Sequence, residues 1–315
     1  MELIESTRLS DKCDYSFGDQ SSVISRIPGG FMKDANVTNK EFTSSYEDIK
    51  KSKKPYMTLF IDNIRLYNRE IKFIKEADRP YVADLLSKND LLVVCSKLSD
   101  MNFIIFTGFE DTPIDKFIFK KIPDNVLGIF AANSIAFGGK VHPIPYGLKR
   151  VISPSDIHKH DTFRELLSTH ITPGKLAYVN HKVGNNVAER QGLGALFDKA
   201  EWATVRNHNL SYREYILEMK NHKFMISPPG NALDCDCHRN WELFYMKRVP
   251  IVKRCAYLEH LFKGYPTLFV DSFNEVTREL LERNDHLYKA AQKIAPHKLD
   301  LDILFKSYIK KALGT

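Results

Sequence analysis

The feature that most constrains the fold is a pattern of short, unbroken apolar runs that occurs twice along the chain. The first set covers residues 56–61, 91–95, 103–106, 126–131 and 141–144. The second covers 176–179, 202–205, 224–226, 249–252 and 267–270. Each run is of strand length and ends at a turn or polar residue. Unbroken rather than alternating apolar character marks strands buried on both faces, which is how strands of a parallel sheet covered by helices read. Helix-like stretches lie between them, at 69–88, 187–199, 212–221, 239–247, 257–262, 273–283 and 285–294. Ser211 with Glu214 three residues on forms a capping box at the start of the third. A last helix, 299–313, is amphipathic through Leu301, Ile303, Leu304, Tyr308 and Ile309.

Between the two sets stand Pro143, Pro145, Gly147, Pro154 and the polar stretch 153–161, which reads as a linker. A chain of 315 residues suits two domains of about 150 each. The expectation is therefore an α/β protein of two Rossmann-like domains. Residues 1–150 form the first domain, with 1–53 polar and irregular, and 151–315 form the second. Open α/β sheets bind ligands at the carboxyl ends of their strands, and two facing halves leave a cleft between them.

Several classes are disfavoured. The N-terminus has no basic stretch followed by an apolar one, so no secretory signal is expected. No run approaches the roughly 18 apolar residues of a membrane span. The five cysteines cannot all pair, which fits a reducing compartment. A cytoplasmic protein, with no membrane and no obligate protein partner, is the expectation. The net charge of +7 attracts polyanions, and equally suits an enzyme that binds a diphosphate.

The segment 224–252 carries the chemistry. A buried run ends in Ser227-Pro228-Pro229-Gly230-Asn231, a turn that frees backbone donors. A helix then begins near His238, and a helix N-terminus favours an anion. Arg239 adds a forked cation matched to phosphate oxygens. Glu242 lies on roughly the same face, where a carboxylate suits the paired hydroxyls of a ribose. The alternative for the same two residues is a surface i,i+3 ion pair, and Trp241 reads as a core residue. Two metal patterns are weighed against this. Asp234-Cys235-Asp236 is an Asp-x-Asp sequence, but it lies in a loop opening a helix. Cys235, Cys237 and His238 lack a second ligand pair at zinc spacing. No metal is expected.

This segment resembles the C-terminal half of exostosin-like glycosyltransferases. The shared pattern is a strand, Ser-Pro-x-Gly-Asn, His-Arg-x-Trp-Glu and a Pro-Ile-Val strand, here Ser227 to Asn231, His238 to Glu242 and Pro250 to Val252. Pro143 to Leu148 is similar to the family's inter-domain segment, and Asn180 to Arg190 to its first C-terminal-domain loop. The resemblance covers roughly 125–280. The turn from Leu233 to His238 is longer than the family's. No membrane anchor like that of secretory-pathway members is expected from the sequence, which points to a bacterial or viral enzyme in bacterial or virus-infected host cytoplasm. The resemblance implies the GT-B fold, with the C-terminal helix packing back, a nucleotide-sugar co-substrate (a UDP-sugar foremost) and no obligatory metal or other cofactor. By position, Arg239 would bind the diphosphate and Glu242 the ribose. Ser227, Gly230, Asn231 and His238 would shape the phosphate turn. Arg190 would be a second diphosphate cation, or else a solvated helix charge.

An inverting transferase also needs a general base for the acceptor hydroxyl. Asp111 and Glu110, just past the 103–106 run, are favoured, with Asp62 and Asp19 as alternatives. For the acceptor, the charge favours a hydroxymethylated base in viral DNA, which would have to be flipped from the duplex. A polysaccharide or small-molecule acceptor is the alternative. A non-catalytic nucleic-acid- or sugar-binding protein on the same fold is a third reading.

Overall fold

The structure, a computed structural model, describes residues 2–4, 6–16, 48–61, 91–108, 114, 116–149, 154–206, 209–230 and 236–315. The chain divides into two compact units. One comprises Ser6–Ile144 with Phe305–Thr315, the other Pro145–Leu304 with Met1–Glu5.

The first unit holds a five-stranded sheet in the order β1 (Tyr15–Ser16), β2 (Tyr56–Ile61), β3 (Asn102–Thr107), β4 (Val126–Ala131) and β5 (Val141–Pro143). All its pairings are parallel. β2, β3 and β4 are buried along nearly their whole length, which accounts for their unbroken apolar sequences. Phe106 and Phe130 stack at 5.2 Å, and the last helix, α9 (Leu301–Leu313), brings Phe305 to 4.9 Å from Phe106 and Tyr308 to 5.1 Å from Phe130. Gly128 permits that approach, since a Cβ there would stand 3.2 Å from Ala312 Cβ and 3.0 Å from the Phe130 ring.

Two expectations in this unit are corrected. Residues 91–95 are not a strand but part of helix α1, Leu91–Lys97. Its buried Leu91, Leu92 and Cys95 lie on one helical face. A short apolar run rich in Val fits a strand and a buried helix equally by period. The supposedly irregular N-terminal stretch contains a 3-10 turn, Ser6–Lys12, and β1. Asp14 fastens this stretch to β2, accepting from Thr58 N at 2.7 Å and Lys54 Nζ at 2.6 Å. The helix expected at 69–88 lies outside the described residues.

The second unit has a five-stranded, all-parallel sheet in the order β7-β6-β8-β9-β10. Its strands are β6 (Lys175–Val179), β7 (Ala203–Val205), β8 (His222–Ile226), β9 (Val249–Lys253) and β10 (Leu268–Val270). Connecting them are α3 (Val187–Arg190), α4 (Tyr212–Lys220), α5 (His238–Tyr245) and α6 (Ala256–Leu261), and after β10 come α7 (Arg278–Arg283) and α8 (Asp285–Ala291). The capping box of Ser211 and Glu214 is present at the start of α4. The helix expected over 187–199 ends after Arg190, because Gly192 adopts a left-handed conformation at φ +75°. The stretch expected at 273–283 splits into a 3-10 turn, Phe273–Glu275, and α7.

The polar stretch expected as a linker is instead a 15-residue helix, α2, Pro154–Ser168. Proline is at home in the first turn of a helix, and Asp156 there pairs with Lys149 at 2.8 Å. Among its described side chains α2 buries Asp156, Thr162, Phe163 and Leu166, so its sequence carries little apolar period. The chain start also belongs to this unit. Ile4 N donates to Tyr245 Oη at 2.6 Å, and Ile4 O accepts from Leu148 N at 2.7 Å. Both units are thus α/β with parallel sheets, the Rossmann-like pair expected from the sequence. Among the described residues no helix is long and apolar enough to cross a membrane.

Candidate functional site

In the second sheet β6 pairs with both β7 and β8. The chain leaves β6 toward one edge and leaves β8 toward the other. The loops after these two strands therefore diverge and open a crevice at their carboxyl ends, the position at which open α/β sheets take ligands. Every described residue singled out for donor binding lies on these two loops, on α3 within the β6–β7 connection, or on α5, which follows the β8 loop.

The turn after β8 is held from behind. Ser227 N donates to Ile251 O at 2.8 Å, and Ser227 Oγ to Asn240 Oδ1 at 2.7 Å. Pro228 and Pro229 are buried. From the β6 loop, Arg190 donates through Nε and Nη2 to Pro229 O, at 2.9 and 2.6 Å. Asn186 Nδ2 donates to Gly230 O at 2.8 Å while its Oδ1 caps α3. Arg190 Nη1 donates to Lys182 O at 2.9 Å. Arg190 thus spends its fork on carbonyls that shape the turn and on its own loop. Asn186 does the same work and was not singled out in the sequence. Its partner is 44 residues away, and the only local signal is a cap-type Asn three residues before Glu189.

Entry into α5 is organised by Asp236. This buried carboxylate accepts from Cys237 N at 2.8 Å, Asn240 Nδ2 at 3.0 Å, Tyr146 N at 3.0 Å and Trp241 Nε1. Burial nevertheless pushes it up to about 6. Both its oxygens serve the fold. Trp241 is fully buried against Phe244, Phe262 and Tyr265, as expected of a core residue. His238 lies 4.6 Å from the Tyr146 ring and bonds Gly147 O through Nδ1 at 2.8 Å. Among the described residues no group of three His, Cys, Asp or Glu is placed to hold a metal ion.

Cys237, the N-cap of α5, provides no side-chain cap, which leaves first-turn donors for an anion. On that turn sits Arg239. Its Nε and Nη1 are buried without a hydrogen-bond partner among the described residues. A buried guanidinium with unused donors is costly unless something fills it.

Neither a family model nor a curated protein matches the chain, so the exostosin-like resemblance rests on the residues that carry it. Among solved structures the chain is similar to a glycosyltransferase from Rickettsia africae ESF-5, at 11% identity over 98% of this chain and 87% of that one, with a TM-score of 0.42. It is also similar to MurG from Acinetobacter baumannii, at 10% identity over 86% and 78%, with a TM-score of 0.34. At scores this low neither likeness decides the fold or the chemistry.

Glu242, one turn beyond Arg239, is buried and accepts from Tyr212 Oη at 2.9 Å and Tyr215 Oη at 3.1 Å. Burial and the Glu242 charge push both phenols up, so they stay protonated and donate. Burial likewise raises Glu242, against the pull of the two hydroxyls and of Arg239. The Tyr215 hydroxyl also stands beside the Arg239 guanidinium. Each Glu242 oxygen has one phenol bonded and one lone pair left. Asn231, Asp234 and Cys235 lie outside the described residues, as do Asp111, Glu110, Asp62 and Asp19, the four candidates for the general base.

Proposed function

We propose that this chain is a nucleotide-sugar-dependent glycosyltransferase of the GT-B kind, with its donor bound in the crevice beyond β6 and β8. The observation that carries the reading is the pair of unused, buried donors on Arg239, set on the uncapped first turn of α5 at the switch point of a parallel sheet. A diphosphate supplies the acceptors these groups lack, and the open turn adds its dipole. Glu242 offers the remaining lone pairs for ribose hydroxyls. Arg239 and the helix turn would also stabilise the charge that develops on the departing diphosphate, so no metal is required for that step. Transfer is read as inverting, with an acidic side chain taking the acceptor proton.

The net charge of +7 makes hydroxymethylated DNA the first acceptor to test, with a neutral glycan second. The experiment is nucleoside diphosphate release from a panel of nucleotide-sugars, in EDTA, with each acceptor. Release that requires DNA, and falls steeply with salt, supports the DNA acceptor. Release with glycan alone moves the acceptor and keeps the transferase. Absence of release and of nucleotide binding overturns the reading.

A further inference from the structure

His181, two residues beyond the end of β6, was not singled out in the sequence and has no part in the site as drawn above. Its ring is half-buried. Nε2 lies 3.1 Å from the carbonyl oxygen of Arg190. A carbonyl only accepts, so Nε2 carries the ring hydrogen. Nδ1 is then a bare lone pair, and it is buried with no hydrogen-bond partner among the described residues. Burial is the main force keeping this ring neutral, with the charges of Arg239 and Arg190 adding to it. A neutral ring fixed in this tautomer presents an acceptor, not a donor.

The β6–β8 end of the sheet therefore presents two complementary buried polar groups. Arg239 has donors without an acceptor, and His181 has an acceptor without a donor. A fully ionised phosphate, which has acceptors and no donor, would satisfy only the first. A ligand that satisfies both carries an anionic oxygen and, close by, a hydroxyl.

We propose that His181 is a donor-recognition residue whose Nδ1 accepts a hydrogen bond from a hydroxyl of the nucleotide-sugar whose phosphate pairs with Arg239. The assignment rests on the donor-site reading above and adds to it a group that tells a nucleotide from a free phosphate.

The test compares His181→Gln with His181→Asn by calorimetric titration. Glutamine retains a donor near the Nε2 position and loses the acceptor at Nδ1. Asparagine keeps a carbonyl oxygen near Nδ1. The ligands are inorganic pyrophosphate, the tightest-binding nucleoside diphosphate of a standard panel, and its nucleotide-sugar. His181→Gln should weaken a hydroxyl-bearing ligand by roughly fivefold to tenfold, the scale of one hydrogen bond, and leave pyrophosphate unchanged. His181→Asn should bind more tightly than His181→Gln. A loss already seen with the diphosphate places the hydroxyl on the ribose, and a loss seen only with the nucleotide-sugar places it on the sugar.

Unchanged binding of all three ligands by His181→Gln overturns the assignment, as does an equal loss for pyrophosphate. If wild-type protein binds no nucleotide, the donor site falls and His181 with it. If it binds nucleotide in an Arg239-dependent way that His181→Gln does not alter, only His181 falls. The wild-type ring gives a readout that needs no variant. The ¹⁵N resonance of His181 Nδ1 should shift with the hydroxyl-bearing ligand and stay put with pyrophosphate, and an unmoved resonance with both counts against the proposal.

Discussion

Arg190 grips a single carbonyl oxygen, that of Pro229, with two nitrogens at 2.9 and 2.6 Å across 39 residues of sequence. This ties the β6 loop to the β8 turn and fixes the crevice between them. Because the guanidinium is buried, its removal leaves carbonyls of Pro229 and Lys182 short of donors. Arg190→Ala should destabilise the protein by roughly 2–4 kcal/mol, read by urea denaturation. Arg190→Lys should recover only part of this, since an ammonium cannot reproduce the fork. A variant as stable as wild type would show that the turn holds itself.

Arg239 should behave in the opposite way. Its Nε and Nη1 contribute nothing to the fold that the described residues reveal. Arg239→Met keeps the length and drops the charge. Stability should change by no more than about 2 kcal/mol, since the relieved burial of Nε and Nη1 is set against the lost attraction to Glu242, while nucleoside diphosphate binding weakens by at least roughly tenfold. A variant that loses stability and keeps its affinity would make Arg239 a structural cation.

Much of this was legible in the chain. The strands 126–131, 224–226 and 249–252 could be read because burial on both faces leaves no polar interruption. The Ser227 turn and the α5 start could be read because a turn and a helix entry leave local marks. α2 was not legible, since it buries a few scattered residues and the rest of its surface is polar. The run 91–95 was misread because Val-rich apolar stretches of that length have no diagnostic period. Asn186 and His181 were invisible for a different reason. Their partners are backbone carbonyls supplied by the fold, at Gly230 and Arg190, and carbonyls leave no trace in a sequence.

Asp236 gives a pH prediction with a definite sign. Its carboxyl is lifted from 3.8 to about 6 by burial. The folded state therefore holds this proton more tightly than the unfolded state. The stabilising contribution is complete below about pH 4 and is lost as pH rises through about 6, a span of order 3 kcal/mol. Asp236→Asn cannot titrate. Wild-type stability measured against this variant should therefore decline between about pH 4 and 7, on top of the pH dependence the two share. A pH-independent gap would mean that the four N–H groups around Asp236 fully offset its burial.

On the proposed reading, Glu242 would distinguish the two halves of the nucleotide. Its carboxylate already takes the hydroxyls of Tyr212 and Tyr215, and only its remaining lone pairs are available to a ligand. Glu242→Gln replaces one acceptor oxygen with an NH₂ group. One phenol must then turn to accept rather than donate, and the site loses acceptor capacity for a diol. Pyrophosphate, which on that reading would meet Arg239 and the helix turn alone, should bind the variant about as well as wild type. A nucleoside diphosphate should bind roughly tenfold more weakly. Tyr212→Phe is the control, since it frees a Glu242 lone pair without altering the charge, and it should leave nucleotide affinity equal or improved. If Glu242→Gln weakens pyrophosphate as much as the nucleotide, Glu242 acts by holding Arg239 through Tyr215 and not by meeting the ribose.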